Sequence, residues 1–224
     1  MEALVSHLIR LENYRALKNE NRPLRILVAE DDTRMAHLVV MSLKQLGHNV
    51  VGAADNGEDL VELTRRLQPD LLIVDVLMPR LTGFEAIEQL QTEFSLPIII
   101  TSGQCTEDFL KKAQDLGIGA YLVKPFTQEQ LQSCIAMAIS SHATLLEAQT
   151  KIAALTSEIE LMKAVESAVT LLMEKFRIDR KEALEKLETA ARARSSTLLD
   201  AARAIATTLS IGRPDHTPSE PVHH

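Results

Sequence analysis

The sequence predicts a doubly wound α/β fold with five parallel strands, followed by a coiled-coil helix and a small domain of three helices. Short apolar segments alternate with amphipathic helical segments from Leu24 to about Ser140. Alternating strands and helices form a parallel sheet that helices cover on both faces. After Ala143 the pattern changes to continuous helical periodicity. These observations divide the chain into an α/β part and an all-helical part.

The strands of the α/β part are indicated by short apolar runs that precede turn residues. In chain order they are RILVA, NVVGA, LLIVD, IIIT and AYLV, at 25–29, 49–53, 71–75, 98–101 and 120–123. Glycine and proline stop signals bound the helices between them. These predicted helices span 33–46, 57–67, 83–94 and 106–116, and a fifth begins after Thr127. This order is that of the flavodoxin-like fold.

The helical part opens with a coiled-coil pattern that continues the fifth helix. Apolar residues recur at steps of three and four, at Leu145, Ala148, Ile152, Leu155, Ile159 and Met162. This is the seam of a coiled coil, so we expect a homodimer. A helix that packs only on its own domain is the alternative. Three helices follow: an extension over 165–176, a helix capped by Asp179, and a last helix over 198–209 capped by Ser195 or Ser196.

Five regions result from these patterns. They are an N-terminal helical extension (1–23), the α/β domain (24–140), a coiled-coil helix or linker (141–163), the three-helix domain (164–211) and an irregular tail (212–224). The charge is unevenly distributed among them. Residues 1–150 carry 13 Lys and Arg against 20 Asp and Glu, whereas residues 151–213 carry 11 against 9. We therefore expect the two parts to have different tasks.

Composition favours a cytoplasmic protein. Hydrophobic residues make up 46% and charged residues 25% of the chain, as in ordinary soluble domains. No apolar run approaches the roughly 20 residues of a membrane helix, and no secretory signal is recognisable. Cys105 and Cys134 are too few for a disulfide scaffold.

Acidic residues stand where two of the predicted strands end. Glu30 and Asp31 follow the first strand, and Asp75 ends the third. Ligands in open α/β sheets gather at the carboxyl ends of the strands, so we expect the three carboxylates to converge. Carboxylates with open coordination positions suit Mg²⁺. The alternative is an N-cap cluster with Asp32 or Thr33 as the cap, which leaves Asp75 unexplained.

Two further polar residues stand at the same predicted edge. Ser102 follows the fourth strand and Lys124 follows the fifth. Each has an ordinary alternative, a turn serine and a solvated lysine. With Asp75 they form a set in which a carboxylate attacks phosphorus, while the cation and the hydroxyl bind the phosphoryl oxygens.

Residues 24–140 resemble the receiver domain of two-component response regulators. The resemblance rests on VAEDD, IVDVLMPRLTG, PIIITSG and YLVKPF, in that order. It implies that Asp75 accepts phosphate from a sensor histidine kinase. The remaining implied roles are Mg²⁺ ligation by Glu30, Asp31, Asp75 and the backbone carbonyl of Leu77, phosphate pairing by Lys124, and switching by Ser102 and Tyr121. Beyond its own phosphorylation and dephosphorylation, the protein is expected not to be an enzyme.

Residues 164–208 resemble the ANTAR domain, an RNA-binding antiterminator module. The resemblance rests on ESA and LLM within 166–173, on DRKEALEKL, and on a run of small residues that contains two arginines. Ala168-Val169-Thr170 stands where the family has Ala-Lys-Gly. The resemblance implies binding to RNA hairpins. The candidate contacts are Lys175, Arg177, Arg180, Lys181, Arg192, Arg194, Ser195 and Ser196.

Two other outputs remain open from the residues alone. One is DNA binding. The last helix is poorly suited to it, because Leu198 and Leu199 near its start are apolar. The other is a protein-interaction or dimerisation module, since three short helices rich in alanine are a common packing unit.

Overall fold

A computed structural model describes residues 22–210 of the chain. The chain divides into two compact units, Met1–Thr150 and Lys151–His224. The predicted irregular tail, and all but the last two residues of the predicted N-terminal extension, lie outside the described residues.

The first unit is built on a sheet of five parallel strands. In chain order they are β1 (Arg25–Ala29), β2 (Asn49–Ala54), β3 (Leu71–Asp75), β4 (Ile98–Ser102) and β5 (Ala120–Val123). Their order across the sheet is β2-β1-β3-β4-β5, and every neighbouring pair is parallel. The predicted doubly wound fold is therefore confirmed. Because β1 and β3 are neighbours, the residues at their carboxyl ends come together.

Helices cover both faces of this sheet. They are α1 (Thr33–Gln45), α2 (Gly57–Leu67), α3 (Gly83–Gln91) and α4 (Glu107–Asp115), and α5 (Gln128–Phe176) begins in this unit. Side chains of Asp32, Asn56, Thr82 and Thr106 cap the first four. The predicted third helix extended to Phe94. Instead it ends at Gln91, because the amides of Glu93 and Phe94 both bond to the carbonyl of Leu90 and close the last turn.

Two apolar clusters fill the space between the sheet and the helices. Alternate residues of β1 and β3 face opposite clusters, as with Ile73 in one and Leu72 in the other. Both strands are thus buried on both faces, as their continuous apolar sequences predict.

The second unit contains the remainder of α5, with α6 (Arg180–Ala193) and α7 (Leu198–Ser210). Its core consists of small and branched residues: Ala168, Val169, Leu172, Ala183, Leu187, Ala191, Ala201 and Ala202. Small side chains let helices approach closely. Val169, at the position where the family carries lysine, is fully buried in this core. The departure in the sequence therefore replaces a charge with a core side chain.

The cap of the last helix differs from the prediction. The Thr197 hydroxyl accepts the amide of Asp200 at 3.1 Å, so Thr197 caps α7. Ser195 adopts a left-handed conformation with φ of 49°, and the Ser196 hydroxyl lies 3.5 Å from the carbonyl of Ala191. The two serines close the end of α6, and the prediction that one of them caps α7 is wrong.

The predicted coiled-coil seam lies at the surface of α5. In the second unit the side chains of Ile152, Leu155, Ile159 and Met162 are all exposed. Within the part of the chain that the structure describes, no helix is long and apolar enough to span a membrane.

Candidate functional site

Three carboxylates meet at the carboxyl edge of the sheet. Glu30 follows β1, Asp31 comes next, and Asp75 ends β3. One carboxylate oxygen from each lies within 4.8 Å of the others. Glu30 and Asp75 are buried, whereas Asp31 is exposed. This donor set fits Mg²⁺, which binds a few carboxylates and keeps several waters on its open side.

Lys124 holds two of these carboxylates together. Its ammonium donates to Glu30 Oε2 at 2.6 Å and to Asp75 Oδ2 at 2.8 Å. The backbone positions it, because the amide of Lys124 donates to the carbonyl of Ser102 at 2.8 Å. The peptide bond between Lys124 and Pro125 is cis. The edge of the sheet thus combines three carboxyl groups with one partly buried cation.

Burial and charge act against each other in this cluster. Burial raises the pKa of Glu30, and the neighbouring Asp75 raises it further, although the hydrogen bond from Lys124 opposes both. Burial alone would lower the pKa of Lys124, but its hydrogen bonds to Asp75 and Glu30 outweigh that effect and raise the pKa. The lysine therefore remains an ammonium and offsets part of the carboxylate repulsion.

The loop after β3 wraps closely around Asp75. The amide of Leu77 donates to Asp75 Oδ1 at 3.4 Å, while the Leu77 side chain is exposed. At the end of this loop, the amide of Gly83 donates to the carbonyl of Val76 at 3.0 Å. A Cβ at Gly83 would lie only 2.1 Å from the backbone oxygen of Asp75. Glycine is therefore required here for the loop to close on the acid.

The side chains of Ser102 and Tyr121 make their contacts outside the acidic cluster. The Ser102 hydroxyl donates to the carbonyl of Gln104 at 2.7 Å and accepts its amide at 3.2 Å, so it is bonded within its own turn. Tyr121 is 42% exposed and contacts Phe109 edge-on, with ring centroids 5.9 Å apart. The structure therefore brings Glu30, Asp31, Asp75 and Lys124 into one site, while Ser102 and Tyr121 are bonded or packed against other residues.

Arg80 was not among the predicted site residues. It lies in the loop after β3 with a left-handed φ of 64°. Its guanidinium lies 3.5 Å from Asp55, 3.6 Å from Glu58 and 3.7 Å from Asp59. Arg80 thus joins the loop that follows Asp75 to the start of α2. The partners are more than 20 residues away in sequence, so no local pattern could have indicated them.

The predicted RNA-contact residues of the second unit are at the surface, but two of the cations already have partners. Arg180 forms a two-pronged hydrogen bond with the carboxylate of Glu166. Arg192 lies 3.3 Å from Glu188. The others, Lys175, Arg177, Lys181, Arg194 and Ser195, are exposed, and Ser196 is half-buried.

Sequence reasoning also missed an aromatic side chain on this surface. Phe176, the last residue of α5, is 52% exposed. The ammonium groups of Lys175 and Lys186 lie 6.0 and 5.9 Å from the centroid of its ring. At the last residue of a helix, the apolar periodicity of the sequence does not show whether an aromatic ring is exposed or buried.

A five-stranded parallel sheet with acidic residues and a lysine at its carboxyl edge defines the first unit as a signalling receiver domain. A family model for the response regulator receiver domain matches residues 26–136. A second family model, for the ANTAR domain, matches residues 153–205. The chain belongs to the family of response regulators that join a receiver domain to a C-terminal ANTAR domain.

Individual relatives agree with this assignment. The transcriptional regulatory protein PdtaR of Mycobacterium tuberculosis is 33% identical over 195 residues, which is 87% of this chain and 94% of that protein. A protein-glutamate methylesterase/protein-glutamine glutaminase of Myxococcus xanthus is 38% identical over 113 residues, 49% of this chain and 32% of that protein. The receiver domain of a modulated diguanylate cyclase from Desulfovibrio desulfuricans superposes with a TM-score of 0.50 at 30% identity, covering 54% of this chain and 96% of that one. The last two matches show that the receiver unit occurs with different outputs.

Proposed function

We propose that the protein is a response regulator in which phosphorylation of Asp75 controls the binding of RNA hairpins by the C-terminal helices, and that this binding prevents termination of transcription. The observation that carries the proposal is the position of Lys124, whose ammonium bridges Glu30 and Asp75 beside a third acid. Such an arrangement suits the transfer of a phosphoryl group to a carboxylate.

Phosphoryl transfer follows from these side chains. An oxygen of Asp75 forms a bond to phosphorus while the donor's N–P bond breaks, and the histidine nitrogen of a sensor kinase keeps the electron pair. Glu30, Asp31, Asp75 and the backbone carbonyl of Leu77 would hold Mg²⁺. When bound, the ion neutralises charge on the phosphoryl oxygens. Lys124, which already contacts Asp75 at 2.8 Å, binds one of those oxygens.

The conformational response starts from the two side chains whose contacts lie outside the acidic cluster. Ser102 exchanges its bond to Gln104 for a phosphoryl oxygen, and Tyr121 leaves the surface beside Phe109 for the space that this movement opens. Phosphorylation thereby changes the surface around β5 through a local change of charge and hydrogen bonding.

The output unit binds RNA in this proposal. Support comes from the ANTAR match and from the exposed cations Lys175, Arg177, Lys181 and Arg194. Hairpin loops offer phosphates to such cations and unpaired bases to neighbouring side chains. The exposed stripe of Ile152, Leu155, Ile159 and Met162 on α5 supports a homodimer that pairs two such units.

Two measurements test the two halves of this proposal. A small-molecule phosphodonor with Mg²⁺ should add one phosphoryl group to the wild-type protein and none to Asp75→Asn, as read by intact-protein mass spectrometry. Exposed Asp115 gives the control substitution, Asp115→Asn, which should be phosphorylated normally. Phosphate uptake by Asp75→Asn would contradict the site assignment.

The second measurement compares a twin-hairpin RNA having short loops with DNA of the same sequence. We expect the protein to prefer RNA, because 2′-hydroxyl contacts distinguish the two. Equal or tighter binding to DNA would instead support a DNA-binding output. Binding to neither would support a protein-interaction output.

A further inference from the structure

We propose that Phe176 is a base-stacking residue that receives an unpaired nucleotide of the RNA. The inference rests on the proposed RNA-binding function and deepens it by naming an apolar contact on a surface whose predicted contacts are all charged or hydroxyl-bearing.

Phe176 is distinctive within its unit. Among residues 151–210, the part of the second unit that the structure describes, it is the only aromatic residue. Of the other large apolar side chains on this helix, Val169 and Leu172 are buried in the three-helix core, whereas Ile152, Leu155, Ile159 and Met162 form the exposed coiled-coil stripe, which ends about four turns before the ring. Phe176 lies outside that core, on the last turn of α5, with half of its surface exposed to solvent. The fold of the unit therefore does not account for the ring.

Cations from two helices flank the ring. Lys175 extends from α5 and Lys186 from α6, and both ammonium groups lie about as far from the ring centroid as a cation–π contact reaches, at 6.0 and 5.9 Å. Arg177 follows directly and is exposed. A base stacked on the ring would place its flanking phosphates within reach of these side chains. Aromatic faces beside basic side chains are the usual chemistry of single-stranded nucleic-acid binding.

Charge alone would not single out this surface. Residues 174–186 contain five cationic and four acidic side chains. The Asp179 carboxylate caps α6 by accepting the amide of Glu182, and Arg180 is hydrogen-bonded to Glu166. The net charge is therefore small, and the grouping of cations around an exposed ring is what favours a nucleotide.

A protein partner fits this surface less well. One phenylalanine contributes a small fraction of the area of a stable interface, which is about 800 Å² per partner. Lysine is depleted in the centres of protein interfaces, whereas two lysines flank this ring. A nucleotide base requires only one ring face and benefits from both cations.

The test uses the full-length protein and the twin-hairpin RNA. Phe176→Leu keeps an apolar side chain of similar size but has no aromatic face, whereas Phe176→Trp keeps the aromatic face. We expect Phe176→Leu to weaken RNA binding about 5- to 100-fold and Phe176→Trp to bind as well as wild type or better. The salt dependence of binding should be unchanged in Phe176→Leu, because no charge is lost. In Lys186→Ala, the slope of log binding constant against log salt concentration should decrease in magnitude by about 0.7 for each lost phosphate contact.

A direct readout of stacking is available because the protein contains no tryptophan. In Phe176→Trp the new indole reports from the ring position alone, and RNA should quench its fluorescence. The matched control is Leu38→Trp, at a position on α1 that is 60% exposed, where RNA should leave the fluorescence unchanged. Circular dichroism and sedimentation check the fold and the oligomeric state of each variant.

The outcomes separate this inference from the proposed function. Absence of RNA binding by the wild-type protein overturns the proposed function and this inference with it. Normal binding by wild type and by Phe176→Leu, without quenching in Phe176→Trp, overturns only the role of Phe176. A change of oligomeric state in Phe176→Leu at unchanged RNA affinity also overturns it and assigns the ring to a protein contact.

Discussion

The two units of the chain organise their charged side chains in opposite ways. At the edge of the sheet, Glu30 and Asp75 are buried, and both accept a hydrogen bond from the partly buried Lys124. On the helical unit, the cations are exposed, and Arg180 and Arg192 are paired with carboxylates of their own unit. The first arrangement is a preorganised site. The second is a surface whose ion pairs must be exchanged for contacts with a partner.

The difference follows from how each fold brings residues together. Parallel strands carry their terminal residues to one edge whatever the helices between them do, so acids at 30 and 75 converge by topology. Helices distribute their polar residues around a cylinder, and the pairing of any one cation depends on which carboxylate lies a turn away or on the next helix. The fold therefore determines which charged residues meet at the edge of the sheet, whereas neighbouring side chains determine which cations are paired on the helical surface.

The strongest predicted difference is between buried Cys134, which has no charged partner within residues 22–210, and Lys124, which has two. Burial raises the pKa of the Cys134 thiol to about 11, whereas Lys124 keeps its charge because carboxylates surround it. At pH 8 about one in a thousand Cys134 side chains is a thiolate, so alkylation should modify exposed Cys105 and spare Cys134. Labelling of Cys134 should rise about tenfold per pH unit below pH 11, as read by peptide mass spectrometry. Equal labelling of both cysteines at pH 8 would show that the interior is open.

The next effect tests the close approach of the loop to Asp75. Gly83→Ala should destabilise the receiver by roughly 1–3 kcal/mol, because its Cβ would meet the Asp75 carbonyl oxygen at 2.1 Å. Gly103 is the matched control, since nothing lies within 4 Å of a Cβ there. Urea unfolding of both variants measures the difference. Equal midpoints would mean that the loop adjusts freely and that the site is less preorganised than proposed.

A third test concerns the cation within the acidic cluster. In Lys124→Ala the three carboxylates lose the ammonium that neutralises them and occupies two of their oxygens, so Mg²⁺ should bind a few-fold more tightly. Lys112→Ala, on the exposed face of α4, should leave Mg²⁺ affinity unchanged. Isothermal titration calorimetry gives both affinities. Weaker Mg²⁺ binding in Lys124→Ala would indicate that the lysine holds the carboxylates in place for the ion.

The weakest predicted effects are the losses of RNA affinity caused by two arginine substitutions in the helical unit. Arg194 has no carboxylate partner among the described residues, whereas Arg192 must leave Glu188 before it can bind a phosphate. Arg194→Ala should therefore weaken RNA binding by a few-fold, and Arg192→Ala by less. Binding titrations at two salt concentrations measure both. A larger loss in Arg192→Ala would mean that the pair with Glu188 opens at no cost.

Much of the first unit could be predicted from the sequence, because its signals are local. Apolar strands, capping residues and acids at strand ends each span a few residues, and the parallel topology supplies the rest. The convergence of Glu30, Asp31, Asp75 and Lys124 is present in the structure, while their roles in phosphorylation stay predictions. The contacts of Arg80 could not be predicted, because they join the loop after β3 to distant residues at the start of α2.

The second unit was harder to predict, because more of its features depend on contacts between residues that are distant in sequence. Its three helices were visible in the periodicity, but the cap of α7 was assigned to a serine when Thr197 provides it. Three consecutive hydroxyl residues at 195–197 each suit a cap, and only the backbone path selects one. The exposure of Phe176 and the pairing of Arg180 with Glu166 likewise depend on how α5 and α6 pack.

In the proposed mechanism, the state of Asp75 controls RNA binding by the helical unit. Binding of the full-length protein to the twin-hairpin RNA, with and without Mg²⁺ and beryllofluoride as a mimic of the acyl phosphate, tests this most directly. We expect tighter RNA binding with the mimic, and no such gain in Asp75→Asn. Equal RNA affinity in both states, with the mimic shown to occupy Asp75, would contradict the claim.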